Sequence, residues 1–208
     1  MWPRRPKEQS RIVTSSSFLS DWLDAVLATP GLTAIRDPAR AREMLLDDAL
    51  RAVDAVRTLE GPVVDVGSGG GSPGIPLAVA LPEREFTLVD AARNKADFLR
   101  AHAPANATVV WGRAEEQPVD VFGVATAKAL AQPPTAVEWV LPLVRPGGAA
   151  LLWLGPSADL DLVWAVASQL GGGEPAMGPD GLVSVPKVAV TPPGFPRRIG
   201  VAKKRPLA

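Results

Sequence analysis

The 208-residue chain contains no cysteine and no tyrosine, and its only histidine is His102. Without cysteine the protein can form neither disulfide bonds nor thiolate metal sites. A single histidine cannot build a histidine metal cluster, nor a hydrolase triad without further partners. We therefore predict no metal site, and we expect His102 to lie at the surface near the end of a helix.

Long hydrophobic runs are also missing from the sequence. No apolar stretch approaches the roughly 20 residues needed to span a bilayer, and the first seven residues lack the apolar core of a signal peptide. We therefore expect a cytoplasmic protein that does not contact a membrane. With 47% hydrophobic residues, the chain is expected to form one compact unit. Within it, residues 1–60 would form an N-terminal helical cap and residues 61–208 the main domain.

The formal net charge is zero, since 22 Lys and Arg residues balance 22 Asp and Glu residues. This balance argues against a protein that binds nucleic acid with its whole surface. The C-terminal end is different, because no acidic residue follows Asp180. The basic residues there are Lys187, Arg197, Arg198, Lys203, Lys204 and Arg205. This tail, with a second basic cluster in residues 1–11, favours contact with a polyanion, although a basic tail alone is often only a solvated end.

Residues 62–71, which read PVVDVGSGGG, are the most informative segment that is present. The β-branched run predicts a buried strand of a parallel sheet. The glycines that follow predict a tight turn against which a ligand can lie directly on the main chain. We expect Asp65, near the end of the strand, to anchor this turn by accepting hydrogen bonds from loop amides.

The spacing of the glycines indicates which nucleotide binds. A dinucleotide fingerprint needs glycine at its first, third and sixth positions, but Ser72 stands at the sixth. The pattern Asp-x-Gly-x-Gly-x-Gly is instead typical of S-adenosylmethionine sites. Asp90 ends the next apolar run and is placed to bind the two ribose hydroxyls. A glycine cluster alone is often just a loop, and such an Asp is often a helix cap, but their order and spacing favour the cofactor site.

Strand and helix signals alternate along the rest of the chain, which predicts an α/β fold with a mostly parallel sheet and right-handed crossovers. We predict a helix that ends near Thr29, and a second helix that Asp37 caps and that continues to Val56. Later helices are predicted at 95–101 and 135–144 and after a capping Ser157. Strands are predicted at 63–66, 86–89, 108–111, 119–125, 149–154 and 182–190. Five tryptophans are assigned to core packing rather than to base stacking: Trp22, Trp111, Trp139, Trp153 and Trp164.

Several segments together resemble one known family. Residues 64–78 read VDVGSGGGSPGIPLA, and two prolines at the start of the following helix are unusual among methyltransferases. Further matches are LTAIRDP (32–38), FTLVD (86–90), GRAEE (112–116), LPLVRPGG (141–148) and PRRIG (196–200). This set resembles the bacterial 16S ribosomal RNA guanine-N7 methyltransferases, also called the glucose-inhibited division protein B family. The resemblance covers roughly residues 32–207.

The resemblance implies a Rossmann-like class I methyltransferase fold, S-adenosyl-L-methionine as cofactor and 16S rRNA of the small ribosomal subunit as substrate. We expect a monomer. The candidate cofactor residues are Gly67, Ser68, Gly69, Gly71, Ser72, Asp90, Ala114, Glu115 and Lys128. Lys128 is also the candidate catalytic residue. The candidate RNA contacts are Arg197, Arg198, Lys203, Lys204 and Arg205.

The chain also departs from the family pattern. Most members have Arg where Lys128 stands, so a point charge replaces a planar fork. Ser72 replaces a bulky apolar residue, and residues 43–48 replace an Arg-His pair followed by an Ile-Leu-Asp-Ser stretch. The N-terminal helical region is shorter than usual. Two alternatives therefore stay open: a diverged relative that methylates another RNA or a small molecule, and a cofactor-binding module without activity. Glu115 and Lys128 could also be a solvated helix cap and a surface charge.

Overall fold

The computed structural model describes residues 6–178 and 181–208, with side chains described from residue 16 onward. Within these residues seven strands form one sheet in the order β3-β2-β1-β4-β5-β7-β6. The strands are β1 Val63–Val66, β2 Phe86–Asp90, β3 Ala107–Trp111, β4 Phe122–Lys128, β5 Val144–Trp153, β6 Ala176–Met177 and β7 Leu182–Pro186. Strands β1 to β5 pair in parallel, whereas β7 runs antiparallel to β5 and β6 antiparallel to β7. The predicted, mostly parallel α/β fold is confirmed.

Helical segments precede the sheet, as predicted. They are α1 Pro6–Ala28, α2 Pro38–Ala41, a π-helical turn Arg42–Asp47, α3 Asp48–Leu50 and α4 Val53–Thr58. The Asp37 carboxylate caps α2 by accepting a hydrogen bond from the Arg40 amide at 2.7 Å. The prediction of one helix from Asp37 to Val56 was wrong, because the π-helical turn and a break at residues 51–52 interrupt it.

The remaining helices flank the sheet. They are α5 Gly74–Ala80, α6 Arg93–His102, α7 Pro133–Val140, α8 Leu160–Ala167 and α9 Val201–Lys204. His102 is the last residue of α6, as expected, but it is half-buried and its ring stacks on that of Phe98. Asp159 rather than Ser157 caps α8, because its carboxylate accepts a hydrogen bond from the Leu162 amide at 3.1 Å. None of the helices in the described part of the chain is long and apolar enough to cross a membrane.

The central strands are buried on both faces, which explains their continuous apolar sequences. Val64, Ala125 and Leu152 belong to the core on one side of the sheet. The preceding residues of the same strands, Val63, Val124 and Leu151, belong to the core on the other side. Successive strand residues point to opposite faces, so this pattern leaves only the strand ends free to form a site.

The tryptophans are less uniformly buried than predicted. Trp22 is buried, and it packs with the N-terminal helices and α5. Trp139 and Trp153 are half-buried. The core assignment was wrong for the other two, because Trp111 is 52% exposed and Trp164 is 40% exposed. Trp2 lies outside the described residues.

Candidate functional site

The glycine loop after β1 crosses the carboxyl edge of the parallel strands. The amides of Gly67 and Ser68 donate to the Val89 carbonyl at 2.8 and 3.1 Å, which ties the loop to the end of β2. Gly67 has φ +70°, and a Cβ there would lie 2.3 Å from Leu130 Cδ1. Only glycine therefore fits this position without strain or a clash. A Cβ at Gly69 would meet only the Gly67 carbonyl, at 3.8 Å, so a ligand can approach the main chain there.

The Asp90 side chain lies beside this loop, at the tip of β2, and it is buried. One carboxylate oxygen accepts a hydrogen bond from the Gly69 amide at 2.8 Å, and the other accepts one from the Ala92 amide at 2.8 Å. Because each carboxylate oxygen has two lone pairs, one on each oxygen remains for a ribose hydroxyl. Asp90 thus both holds the loop and retains the capacity to bind a ribose.

Asp65 anchors the turn differently from the prediction. The loop amides at positions 67, 68, 69 and 71 donate to other acceptors, and the main-chain hydrogen bond that acts on the Asp65 carboxyl comes from Gly74, at the start of α5. The Asp65 carboxylate also accepts a hydrogen bond from the Thr126 hydroxyl at 2.7 Å, which joins β1 to β4. Complete burial raises the pKa of Asp65 to about 6, and the Thr126 hydrogen bond offsets only part of this effect. The Ser68 hydroxyl donates to the Asp65 main-chain carbonyl at 2.9 Å.

Two cavities meet at Gly67. The smaller, of about 100 Å³, lies beyond the ends of β2 and β3, and Ala91, Ala114 and Glu115 are among its lining residues. The larger, of about 370 Å³, lies between the glycine loop, the N-terminal helical region and Lys128. The bare glycine backbone and the Asp90 lone pairs suit S-adenosylmethionine.

Lys128 is the last residue of β4 and lines the larger cavity, with 14% of its side chain exposed. Its ammonium donates to the Met44 carbonyl and forms an ion pair with Asp48. The Ser72 hydroxyl donates to the neighbouring Leu45 carbonyl at 2.7 Å. The π-helical turn is therefore fastened to the site by two side chains that the sequence had singled out as cofactor contacts.

Asp48 was missed by sequence reasoning. It lies in the segment that departs from the family pattern, and that departure was the available signal. Its carboxylate contacts Lys128, and its main-chain carbonyl accepts a hydrogen bond from Trp153 Nε1 at 3.3 Å. Asp48 therefore connects the N-terminal helical region to the ends of both β4 and β5.

Ala114 and Glu115 follow β3 and line the smaller cavity. Ala114 is buried. The Glu115 carboxylate accepts a hydrogen bond from the Gly200 amide at 3.2 Å. The C-terminal segment consequently lies against the wall of the smaller cavity, and Glu115 has a structural contact in addition to its predicted cofactor role.

The basic tail contains one buried residue, one half-buried residue and four exposed residues. Arg197 forms a two-pronged ion pair with the buried Glu138 of α7, and this hydrogen bonding raises the pKa of Arg197. Arg197 also donates to the Arg205 carbonyl at 2.8 Å. Lys187 is completely buried. The exposed residues are Arg198, Lys203, Lys204 and Arg205. Among the described residues no group of three or more His, Asp or Glu side chains could hold a metal ion.

Solved structures with the same arrangement show the fold class. The TehB-like S-adenosylmethionine-dependent methyltransferase of Corynebacterium glutamicum superposes with a TM-score of 0.54 at 18% identity, covering 83% of this chain and 97% of that one. The 16S rRNA methyltransferase RsmC of T. thermophilus, in complex with AdoMet and guanosine, gives a TM-score of 0.51 at 15% identity. The match covers 69% of this chain and 40% of that one. The chain thus has the Rossmann-like class I methyltransferase fold.

Sequence comparisons identify the family. Ribosomal RNA small subunit methyltransferase G of Roseiflexus castenholzii is 36% identical over 196 residues, covering 85% of this chain and 83% of that protein. The protein of the same name from a Synechococcus strain is 32% identical over 206 residues, which cover 86% of this chain and 79% of that protein. The family profile described as rRNA small subunit methyltransferase G matches residues 18–166. The chain therefore belongs to the GidB family of rRNA small subunit methyltransferases.

Proposed function

We propose that the protein transfers the methyl group of S-adenosylmethionine to N7 of a guanine in the 16S rRNA of the small ribosomal subunit. The family membership supports the donor and the substrate class. The observation that carries the proposal is the pair of cavities joined at Gly67, with Asp90 beside the glycine loop and Lys128 in the wall of the larger cavity.

The reaction makes few demands on side-chain chemistry. When bound, the cofactor supplies a methyl group on a cationic sulfur. Guanine N7 carries a lone pair and no proton, so its attack requires no general base, and positioning of the reactants becomes the main task. Asp90 binds the ribose, and the glycine loop admits the cofactor against its backbone. The candidate residues therefore orient the reactants rather than move protons.

Lys128 suits the recognition of guanine. The base presents two neighbouring acceptors, N7 and O6, on the same edge. N7 must remain free for the methyl group, so the Lys128 ammonium would donate to O6. During the reaction positive charge moves from the sulfur to the guanine ring, and a nearby ammonium alone would oppose this movement. Asp48 offsets that opposition because its carboxylate pairs with Lys128.

The domain division stays part of the proposal. Residues 1–60 would act as a cap, since residues 32–35 and 44–45 contribute to the larger cavity. Residues 61–208 would form the catalytic domain. We propose that the protein acts as a monomer in the cytoplasm.

The tail is proposed as an RNA contact with two kinds of residue. Arg198, Lys203, Lys204 and Arg205 would meet phosphates, because their side chains are exposed. Arg197 would contribute mainly by holding the tail against α7 through Glu138. Its proposed place in the RNA interface is therefore less direct than that of its neighbours.

The test is methyl transfer to small ribosomal subunits that lack this modification, with the product nucleoside identified by mass spectrometry. We expect 7-methylguanosine from the wild-type protein, and we expect Lys128→Ala to slow methyl transfer more than it weakens S-adenosylmethionine binding. Arg57→Ala is a suitable control, because Arg57 pairs with Asp54 on the exposed side of α4.

Each remaining alternative predicts a different result. A small-molecule methyltransferase would bind S-adenosylmethionine but leave both subunits and naked RNA unmodified. A binding module without activity would bind S-adenosylmethionine but methylate no acceptor at all, including small molecules. A methyl group found on a different atom of the RNA would reject guanine N7 while retaining the RNA substrate.

A further inference from the structure

Trp111 is a large aromatic side chain left at the surface. It ends β3, the edge strand of the sheet, and it is 52% exposed. Its indole Nε1 donates to the Ala91 carbonyl at 3.1 Å. The guanidinium carbon of Arg93 lies 5.3 Å from the ring centroid, within the range of a cation–π contact. The ring is therefore exposed and also held in one orientation.

The position of Trp111 relates it to the proposed site. Trp111 pairs with Asp90 in the register of β2 and β3. The next two residues, Gly112 and Arg113, line the smaller cavity together with Ala91. Trp111 itself does not line that cavity. Its ring therefore lies beside the proposed adenosine site rather than over it.

The distance to the proposed methyl-transfer point suits a substrate longer than one nucleotide. Strand β3 is separated from β4, which ends at Lys128, by three strand spacings, or about 14 Å. A few nucleotides of single-stranded RNA cover such a distance. Arg113 is exposed next to Trp111 and adds a positive charge at the same edge.

We propose that Trp111 and Arg93 form a stacking platform for an unpaired base of the substrate RNA, a few nucleotides from the methylated guanine. The inference rests on the proposed function. Proteins recognise unpaired RNA bases largely by stacking them on aromatic rings and on arginine planes. A ring whose polar edge is already satisfied and whose orientation is fixed loses little side-chain entropy when a base stacks on it.

The ion pairs nearby do not provide an equally good structural explanation. Arg93 lies 3.9 Å from Asp97, and both side chains are more than half exposed. Such pairs contribute little to stability. Keeping an indole at the surface is therefore better explained by a partner that covers the ring. Asp97 and Glu116 lie beside Arg93 and Arg113, so the exposed ring, rather than the net charge, carries the proposal.

The experiment compares Trp111→Ala, Trp111→Phe and Trp164→Ala. Trp164, in α8, is the matched control because it is also exposed. Binding is measured to small ribosomal subunits lacking the modification, and S-adenosylmethionine affinity is measured separately by calorimetry. We expect Trp111→Ala to weaken subunit binding by about 5- to 150-fold, as for the loss of one stacked base. Trp111→Phe should recover most of this loss, and Trp164→Ala should bind like the wild type.

The cofactor affinity and the thermal midpoint of Trp111→Ala should match those of the wild type. Equal subunit binding by Trp111→Ala and Trp164→Ala would overturn the proposal, as would a loss that Trp111→Phe does not recover. A parallel loss of cofactor affinity would assign Trp111 to the cofactor pocket instead. Wild-type protein that binds subunits without methylating them would reject the proposed activity, yet the binding comparison would still test the platform.

Discussion

Two lysine–aspartate pairs lie in different parts of the molecule and have different surroundings. Lys128 and Asp48 join the end of β4 to the N-terminal helical region, and their side chains are 14% and 23% exposed. Lys187 and Asp120 lie beyond the end of β7 and before the start of β4, 3.2 Å apart, and the Lys187 side chain is fully buried. The first pair borders the large cavity. In the second, which we call the enclosed pair, main-chain and hydroxyl groups surround Lys187, while the Asp120 side chain is 22% exposed.

The enclosed pair has a complete set of protein partners. Lys187 Nζ donates to the Leu141 carbonyl at 3.0 Å and to the Thr191 hydroxyl at 2.6 Å. Burial lowers the pKa of Lys187, and Asp120 opposes this effect. Burial alone would raise the pKa of Asp120, but hydrogen bonds from Thr191 and Lys187 outweigh it and lower the pKa.

The comparison teaches that the neighbours of an ion pair, rather than its chemistry, decide what it does. The Lys187 pair fastens the chain after β7 to the sheet, and its ammonium is fully buried although the Asp120 side chain is 22% exposed. The Lys128 pair has a cavity beside it, and a substrate oxygen can share its ammonium. Stability should therefore depend on the Lys187–Asp120 pair and methyl transfer on the Lys128–Asp48 pair.

The largest effect is expected where the enclosed pair is broken. Asp120→Asn should reduce the free energy of unfolding by about 3 to 5 kcal/mol, because it leaves the buried Lys187 without its carboxylate. Asp120 has φ +57°, and Asn tolerates this backbone region, so strain is not introduced. Chemical denaturation measures the change. Asp54→Asn on exposed α4 is the control, and a loss below about 1 kcal/mol would contradict the structural role of this pair.

Asp65 offers a buried carboxylate without a lysine for comparison. Its pKa is about 6 in the folded protein, against 3.8 for the ordinary group. The folded state therefore binds more protons than the unfolded state between these values, and wild-type stability falls as the pH rises through them. Asp65→Asn cannot titrate. Its unfolding free energy relative to the wild type should rise by about 2.4 kcal/mol between pH 4 and 7.5. A difference independent of pH would exclude this account.

Asp90 sharpens the comparison at the cofactor end of the site. Asp90→Ala should weaken S-adenosylmethionine binding by about 1.5 to 3 kcal/mol, because it removes hydrogen bonds to a charged group. NAD should not compete for the site. Calorimetry with both ligands measures this, and Asp97→Ala on the exposed face of α6 is the control. Unchanged binding in Asp90→Ala would remove the ribose role assigned to this carboxylate.

The pair beside the cavity should affect the rate more than the fold. Asp48→Asn should slow methyl transfer by about 10- to 100-fold, because Lys128 loses the partner that holds it in place. Its cost in stability should be smaller than that of Asp120→Asn, because the Lys128 side chain keeps 14% exposure whereas Lys187 is fully buried. Asp47→Asn is the matched control, because the adjacent Asp47 lies 3.8 Å from Arg42 and is half exposed. Similar rates for the two variants would reject the positioning role of Asp48.

The smallest effect concerns the exposed end of the tail. Changing Lys203 and Lys204 together to Ala should reduce the logarithmic salt dependence of RNA binding by about 1.4 to 1.8. S-adenosylmethionine affinity should not change. The comparison variant is Arg197→Ala, which should lower stability because it leaves the buried Glu138 unpaired. Equal salt slopes for the wild type and the double variant would show that the tail is only solvated.

The sequence predicted those features that depend on neighbouring residues. The strand before the glycines, the turn itself and the placement of Asp90 follow from local patterns of apolar, glycine and acidic residues. The antiparallel pair β6 and β7 was only partly predicted, because β6 spans two residues and has no periodicity. The start of β5 was predicted five residues late, since Val144 joins the sheet by pairing with Phe122 across an irregularity in register.

The missed features of the site depend on residues far apart in the chain. Lys187 and Arg197 looked like members of a basic tail, because Asp120 and Glu138 are distant in sequence. The contacts of Lys187 with Asp120 and of Arg197 with Glu138 form only when the tail folds back on the sheet. Trp111 looked like a core residue because its strand is apolar, but β3 is the edge strand and its end is open to solvent. Edge position is a property of sheet order, which local patterns do not encode.

The π-helical turn has a consequence for how this segment can diverge. Met44 and Leu45 meet Lys128 and Ser72 through their main-chain carbonyls, and every residue type has this group. The side chains of Met44 and Leu45 can therefore change without breaking this main-chain link, whereas Asp48 contributes through its carboxylate. The length of the turn has no such freedom, because one residue more or fewer would rotate both carbonyls away from the site. At positions 44 and 45 the spacing therefore matters more than the amino-acid identity.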